Sequence, residues 1–110
     1  MIGVAGAEAE VPVGRIFRVT RLLALAHRFE KLIQDGVVKD YADLARLGHV
    51  SRARLSQIMD LLLLAPEIQE QILFMEPVTE GDDPVRERQV REVVAVADWG
   101  RQRRMWTARQ

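Results

Sequence analysis

The chain has 110 residues, of which 48% are apolar and 29% charged, and it contains no cysteine. This suits one small domain with a single modest core; it excludes a disulfide framework and thiolate metal sites, and it fits a reducing cytoplasm. The formal net charge is zero, but residues 15–58 hold nine Lys/Arg against four Asp/Glu while residues 59–98 hold three against ten, so a local basic block remains able to face phosphate.

Leu, Ala, Arg, Glu and Gln dominate and strand-favouring aromatics are few, which predicts an all-α fold. We expect a small bundle of about five helices, with a flexible arm over residues 1–14, a helical domain over 15–98 and a basic Trp/Arg tail over 99–110. The arm is small and Gly-containing, with Pro12 and Gly14 as breakers. It lacks a basic n-region and carries Glu8 and Glu10 in its apolar part, so it reads as a poor signal peptide. The apolar run from Leu61 to Pro66 is far too short to span a bilayer, and no membrane role is expected.

The first helix is predicted from a Thr20 cap to about Asp35, burying Leu22, Leu25, Ala26, Phe29, Leu32 and Ile33 and stopped by Gly36. His27 falls off this stripe and is expected in solvent. Asp40 then caps a short helix from Tyr41 to Leu47, with Leu44, Ala45 and Leu47 as core contributors. Gly48, His49 and Val50 form a turn, and Ser51 caps the next helix, whose inward residues are Leu55, Ile58, Met59 and Leu62. Pro66 suits the first position of a further helix, with Ile68, Ile72 and Met75 on its apolar side. Residues 76–84 read as an acidic loop. Asp83 and Pro84 are expected to start a fifth helix over about 85–97, with Val90, Val93, Val94 and Ala97 inward.

The stretch from Asp40 to Leu64 carries the functional reading. A helix-turn-helix needs a small residue where its helices meet and apolar residues that fasten both to the helix in front. Leu44, Ala45, Val50, Leu55 and Ile58 fill those positions. The slot that needs positive φ falls on His49, one residue after Gly48, although Gly is the preferred residue there. In this register Ser51, Arg52, Ala53, Ser56 and Gln57 face outward and are the candidate base-reading residues, with Asp60 beside them. Arg can bond guanine, Gln can bond adenine, and the small residues permit close approach. Tyr41 and Arg54 are candidate phosphate contacts, together with Arg103 and Arg104 of the tail.

These residues resemble the helix-turn-helix of ParB/KorB-type partition and repressor proteins over residues 40–75. The matching pieces are Leu44-Ala45, Ser51-Arg52, the Leu-rich run 61–64, and Pro66-Glu67-Ile68-Gln69-Glu70. The resemblance implies sequence-specific duplex DNA binding by Ser51, Arg52, Ser56 and Gln57. It does not extend to a nucleotide switch, because no arginine-rich nucleotide-binding box is present. Short proteins of this kind also resemble accessory proteins of phage and transposon recombinase cassettes.

In the tail, Trp99, Arg101, Arg103, Arg104 and Trp106 mix aromatic and basic groups as nucleic-acid-binding tails do, while at least one Trp is expected to pack back on the domain. No enzyme is expected. With only His27 and His49, no HxxxH pair and no Gly-rich phosphate loop, the sequence offers neither a metal site nor a nucleotide cradle. The expectation is a cytoplasmic, nucleoid-associated double-stranded DNA-binding protein without cofactor, small-molecule substrate or metal, acting as a homodimer or with a protein partner. It would serve as a transcriptional regulator or mobile-element accessory factor. The alternative is a helical protein-interaction module that docks a recombinase, polymerase or partition partner.

Overall fold

Six α-helices and one 3-10 turn, and no strand, are formed by the residues that the structure, a computed structural model, describes: 17–76, 81 and 83–109. The expected arm over 1–14 lies outside those residues, as do positions 77–80 and 82 of the acidic loop. Helix α1 spans Arg18–Gln34, α2 Tyr41–Gly48 and α3 Arg52–Met59, followed by the 3-10 turn Asp60–Leu63. Helix α4 spans Pro66–Leu73, α5 Glu87–Val94 and α6 Trp99–Arg109.

Helix α1 runs through two core clusters. One joins its Ala26 and Phe29 to Val38, Leu44, Ala45, Leu55, Ile58 and Met59, and so fastens α2 and α3. The other joins its Val19 and Leu23 to Leu61, Leu64, Ala65, Ile68, Ile72, Val90, Val93 and Trp106, and so gathers the 3-10 turn and α4 to α6. Leu22 and Leu62 pack against both. The buried arc of α1 is therefore wider than one stripe: Leu23 is fully buried where the spacing favoured Leu22 and Leu25, which are only half-buried. A helix contacting neighbours on several sides buries more than the arc set by a single partner.

The starts of α1 and α5 both differ from the sequence expectation. Helix α1 begins two residues before Thr20, with Phe17 at its N-cap position and no side-chain cap of its own. The Arg18 amide instead donates to Asp83 Oδ2 at 3.1 Å, a carboxylate brought from the far side of the sequence. Thr20 Oγ1 donates to the Ile72 carbonyl at 2.8 Å, tying α1 to the end of α4. Asp83 is thus spent on α1, and α5 starts at Glu87 rather than about 85. Gln89 Oε1 there accepts from the Arg86 amide at 2.9 Å. Ala97 lies exposed beyond the end of α5, and Leu47 is exposed on α2.

The segment read as a basic tail is part of the fold. Helix α6 lays Trp106 into the second cluster, 3% exposed, with its Nε1 donating to Gln71 Oε1 at 2.7 Å. Gln102, 1% exposed, accepts from the Ala65 amide at 2.7 Å and donates through Nε2 to the carbonyls of Val96, at 2.8 Å, and Leu63, at 3.3 Å. Trp99 Nε1 also donates to the Leu63 carbonyl, at 3.1 Å. These bonds satisfy backbone groups where the chain leaves the 3-10 turn and enters α4, and where α5 has already ended.

His27 is exposed as expected, and it also links α1 to α4. Gln69 Nε2 donates to the carbonyls of Leu62 and Leu64, which turns Gln69 Oε1 toward His27 Nε2 at 2.7 Å. An amide oxygen only accepts, so Nε2 is the protonated nitrogen of His27.

Candidate nucleic-acid interface

Two eight-residue helices and the turn between them build the site. Asp40 caps α2 by accepting from the Asp43 amide at 2.9 Å, and Ser51 Oγ caps α3 by accepting from the Arg54 amide at 3.0 Å. Both caps stand where the sequence pattern puts them. Between the helices His49 adopts φ 57° and ψ 41°, while Gly48 is the last residue of α2. Val50 then donates its amide to the Ala45 carbonyl at 3.1 Å and closes the turn. The positive-φ slot therefore falls on His49.

A Cβ added at Gly48 would sit 3.5 Å from Phe29 Cζ, ordinary contact, so the turn does not pivot on the glycine. An L-residue in the left-handed region costs roughly 1–2 kcal/mol. Replacing His49 with Gly is therefore expected to stabilise the fold by about 1 kcal/mol, less the added freedom of the unfolded chain. The check is a rise in the urea midpoint at unchanged slope; a fall would mean that the His49 side chain contributes more than its backbone strain costs.

Leu55, Ile58 and Met59 are buried, which sets the rotation of α3. Arg52, Ala53 and Ser56 are exposed together with Ser51 at the cap and Asp60 beyond the C-terminal end. Positions 52, 56 and 60 are spaced four apart and 53 lies three before 56, so they share one face. The Arg52 side chain has no ion pair or hydrogen-bond partner among the described residues. Tyr41 is exposed at the start of α2.

Arg54 and Gln57 turn away from this face toward α5. Arg54 makes a fork to Glu87, Nη1 to Oε2 at 2.6 Å and Nη2 to Oε1 at 3.2 Å. Its Nη1 also donates to Gln57 Oε1 at 3.1 Å. The Arg54 hydrogen bond holds the Glu87 carboxyl below the usual carboxylate range, against partial burial that pushes it up, and the same bond raises Arg54. Arg18 Nε, 3.4 Å away, and Arg91 Nη1, 3.7 Å away, complete the surroundings of Glu87. Arg54 is thus an internally paired group rather than a free cation on the outward face of α3.

Arg103 and Arg104, the two arginines of α6 expected at phosphate, separate in the same way. Arg103 Nε lies 2.8 Å from Glu67 Oε2 at the start of α4. Glu67 is held below the usual range, first by its own amide at the helix N-terminus and then by Arg103. Arg104 is exposed without a partner among the described residues.

No protein-family model matches the chain, and no curated protein or solved structure matches it either.

Sequence reasoning located the exposed residues of α3 through its caps and apolar spacing. It missed Glu87, because an ion pair across 33 positions leaves no periodic trace. It also missed Gln102, whose burial is set by the backbone groups it meets. Among the described residues no group of three His, Cys, Asp or Glu side chains is placed to hold a metal ion. No helix among them is long and apolar enough to cross a membrane.

Proposed function

We propose that this chain binds double-stranded DNA sequence-specifically through a helix-turn-helix made of α2 and α3. In this reading it works in the cytoplasm as a transcriptional regulator or as an accessory protein of a phage or transposon. The observation that carries the reading is the face of α3: Ser51, Arg52, Ala53 and Ser56 are exposed side by side, with Arg52 unpaired among the described residues, on a helix whose start and rotation are fixed by Ser51, Leu55 and Ile58. A guanidinium flanked by small side chains at a helix N-terminus suits approach to a base edge, and the N-terminus favours a nearby phosphate. The resemblance of residues 40–75 to ParB/KorB-type proteins points the same way. One such unit makes few contacts, so a homodimer or a protein partner completes the complex.

Electrophoretic shifts with random and genomic duplexes test the reading, with binding expected at low salt and lost steeply as salt rises. Arg52→Ala is expected to cost about 1–3 kcal/mol on a selected site and to relax sequence preference there. No shift at low salt would sink the proposal. An unchanged preference in Arg52→Ala would remove α3 as the reading helix.

A second reading is favoured by a different feature. Leu62, Leu63, Val94, Ala95, Val96, Ala97 and Trp99 line an open cleft of about 390 Å³. Trp99 is 45% exposed at its edge. An exposed aromatic beside such a cleft suits a protein partner, and in this reading the face of α3 is incidental. A Trp99→Ala chain that binds DNA normally yet fails to complement its function in cells would favour it.

A further inference from the structure

The four leucines of residues 61–64 meet the core through a 3-10 turn and the residue after it. Residues three apart share one side of such a turn, so Leu61 and Leu64 go inward and Leu63 is left 57% exposed. The end of α5 runs on into Ala95, Val96 and Ala97, which bring a second apolar segment to the same cleft. Trp99, the first residue of α6, also lines it. The indole is exposed yet held in place, because its Nε1 donates to the Leu63 carbonyl. A side chain that is already ordered loses little further freedom when a complex forms through it.

No charged side chain lines the cleft, and one charge of each sign flanks its indole. Asp98 and Arg101 lie on either side of Trp99 in the chain, and both are exposed. The Asp98 carboxylate caps α6 by accepting from the Arg101 amide at 2.9 Å. Among the described residues neither side chain has an ion-pair partner.

We propose that this surface binds a second copy of the chain about a two-fold axis. Trp99 of each protomer packs against the cleft of its partner, and Asp98 of each faces Arg101 of the other. A two-fold interface is made of the same patch twice, so the patch must complement itself. A patch that holds both an exposed indole and an apolar cleft meets that condition. An acid and a base flanking the indole, each without an ion-pair partner, meet it again in charge. The chain is also neutral overall, so no net repulsion opposes a second copy. The pairing supplies the homodimer that the DNA-binding reading calls for, but it is tested without DNA, so either can fail alone.

Sedimentation equilibrium of the full chain over a range of concentrations is expected to show a monomer–dimer equilibrium. Trp99→Ala and Leu63→Glu each weaken the dimer at least about thirtyfold, since one substitution acts twice across the axis. Arg101→Glu sets acid against Asp98 at two places and weakens it about tenfold. Phe74→Glu changes an exposed aromatic at the end of α4, outside this surface, and leaves the dimer intact. All four side chains are exposed, and in Trp99→Ala the Leu63 carbonyl keeps its bond from Gln102, so the variants retain the fold. Circular dichroism checks that.

A monomer at every concentration overturns the proposal and leaves the cleft to a different protein. An assembly that grows beyond two copies overturns it as well, because a two-fold pairing closes on itself. So does an undiminished dimer in Trp99→Ala, Leu63→Glu or Arg101→Glu, or a dimer lost in Phe74→Glu. Absence of a shift with DNA overturns the DNA reading and leaves the dimer standing.

Discussion

Trp106→Ala is expected to remove about 3–5 kcal/mol of folding stability, the usual cost of deleting a large buried aromatic. Trp106 is almost wholly buried among Val19, Leu23, Ile68, Ile72, Val90 and Val93, which come from three other helices. Deleting the indole removes its transfer free energy and leaves a space that the backbones of α1, α4 and α5 cannot jointly close. The loss is a large part of the roughly 5–15 kcal/mol that holds a domain of this kind together. Trp106→Phe keeps most of the apolar contact and gives up the hydrogen bond to Gln71, whose side chain is exposed and can turn to water. It should therefore cost much less. Urea unfolding followed by circular dichroism measures both; a loss below about 1 kcal/mol for Trp106→Ala would contradict the docking of α6.

Gln102→Leu is expected to cost about 3 kcal/mol although it adds apolar surface at a buried site. Its side chain serves one backbone donor and two backbone acceptors. Leucine of similar volume strands the Ala65 amide and the Val96 carbonyl, while the Leu63 carbonyl keeps Trp99. An orphaned buried polar group costs about 1–3 kcal/mol. Gln102→Glu separates hydrogen bonding from volume. The new carboxylate still accepts from Ala65 but faces two carbonyls with no proton, so the variant is weakened at neutral pH and recovers as the carboxyl is protonated. Equal stability of Gln102→Leu and the unaltered chain would mean that water reaches these groups.

The all-helical class was legible in the composition, and three of the six helix starts were legible in single residues. Asp40, Ser51 and Pro66 each act locally on the three or four positions after them, so a linear reading finds them. Asp83-Pro84 carries an equally good local signal and yet starts nothing, because Asp83 is engaged by the Arg18 amide. The same reason hides the partner of Arg54. Ion pairs and caps between distant segments follow from where helices end up, and no spacing rule encodes that. The packing of a Trp from residues 99–110 was legible and is met by Trp106, but the helix was not, because four arginines mask a buried face made by two residues, Gln102 and Trp106. For the candidate site, Arg52, Ala53 and Ser56 follow from the rotation set by Leu55 and Ile58. The inward turn of Arg54 and Gln57 depends on α5 and could not be read.

The division of the core between two clusters also sets an order of assembly. The cluster under α2 and α3 draws on residues 22–62, so its contacts close short loops and can form while the C-terminal part of the chain is still being synthesised. The cluster holding Val19 and Leu23 lacks its largest side chain until Trp106 arrives, and it closes last. The face of α3 is therefore shaped early, whereas the Arg54–Glu87 fork beside it waits for α5.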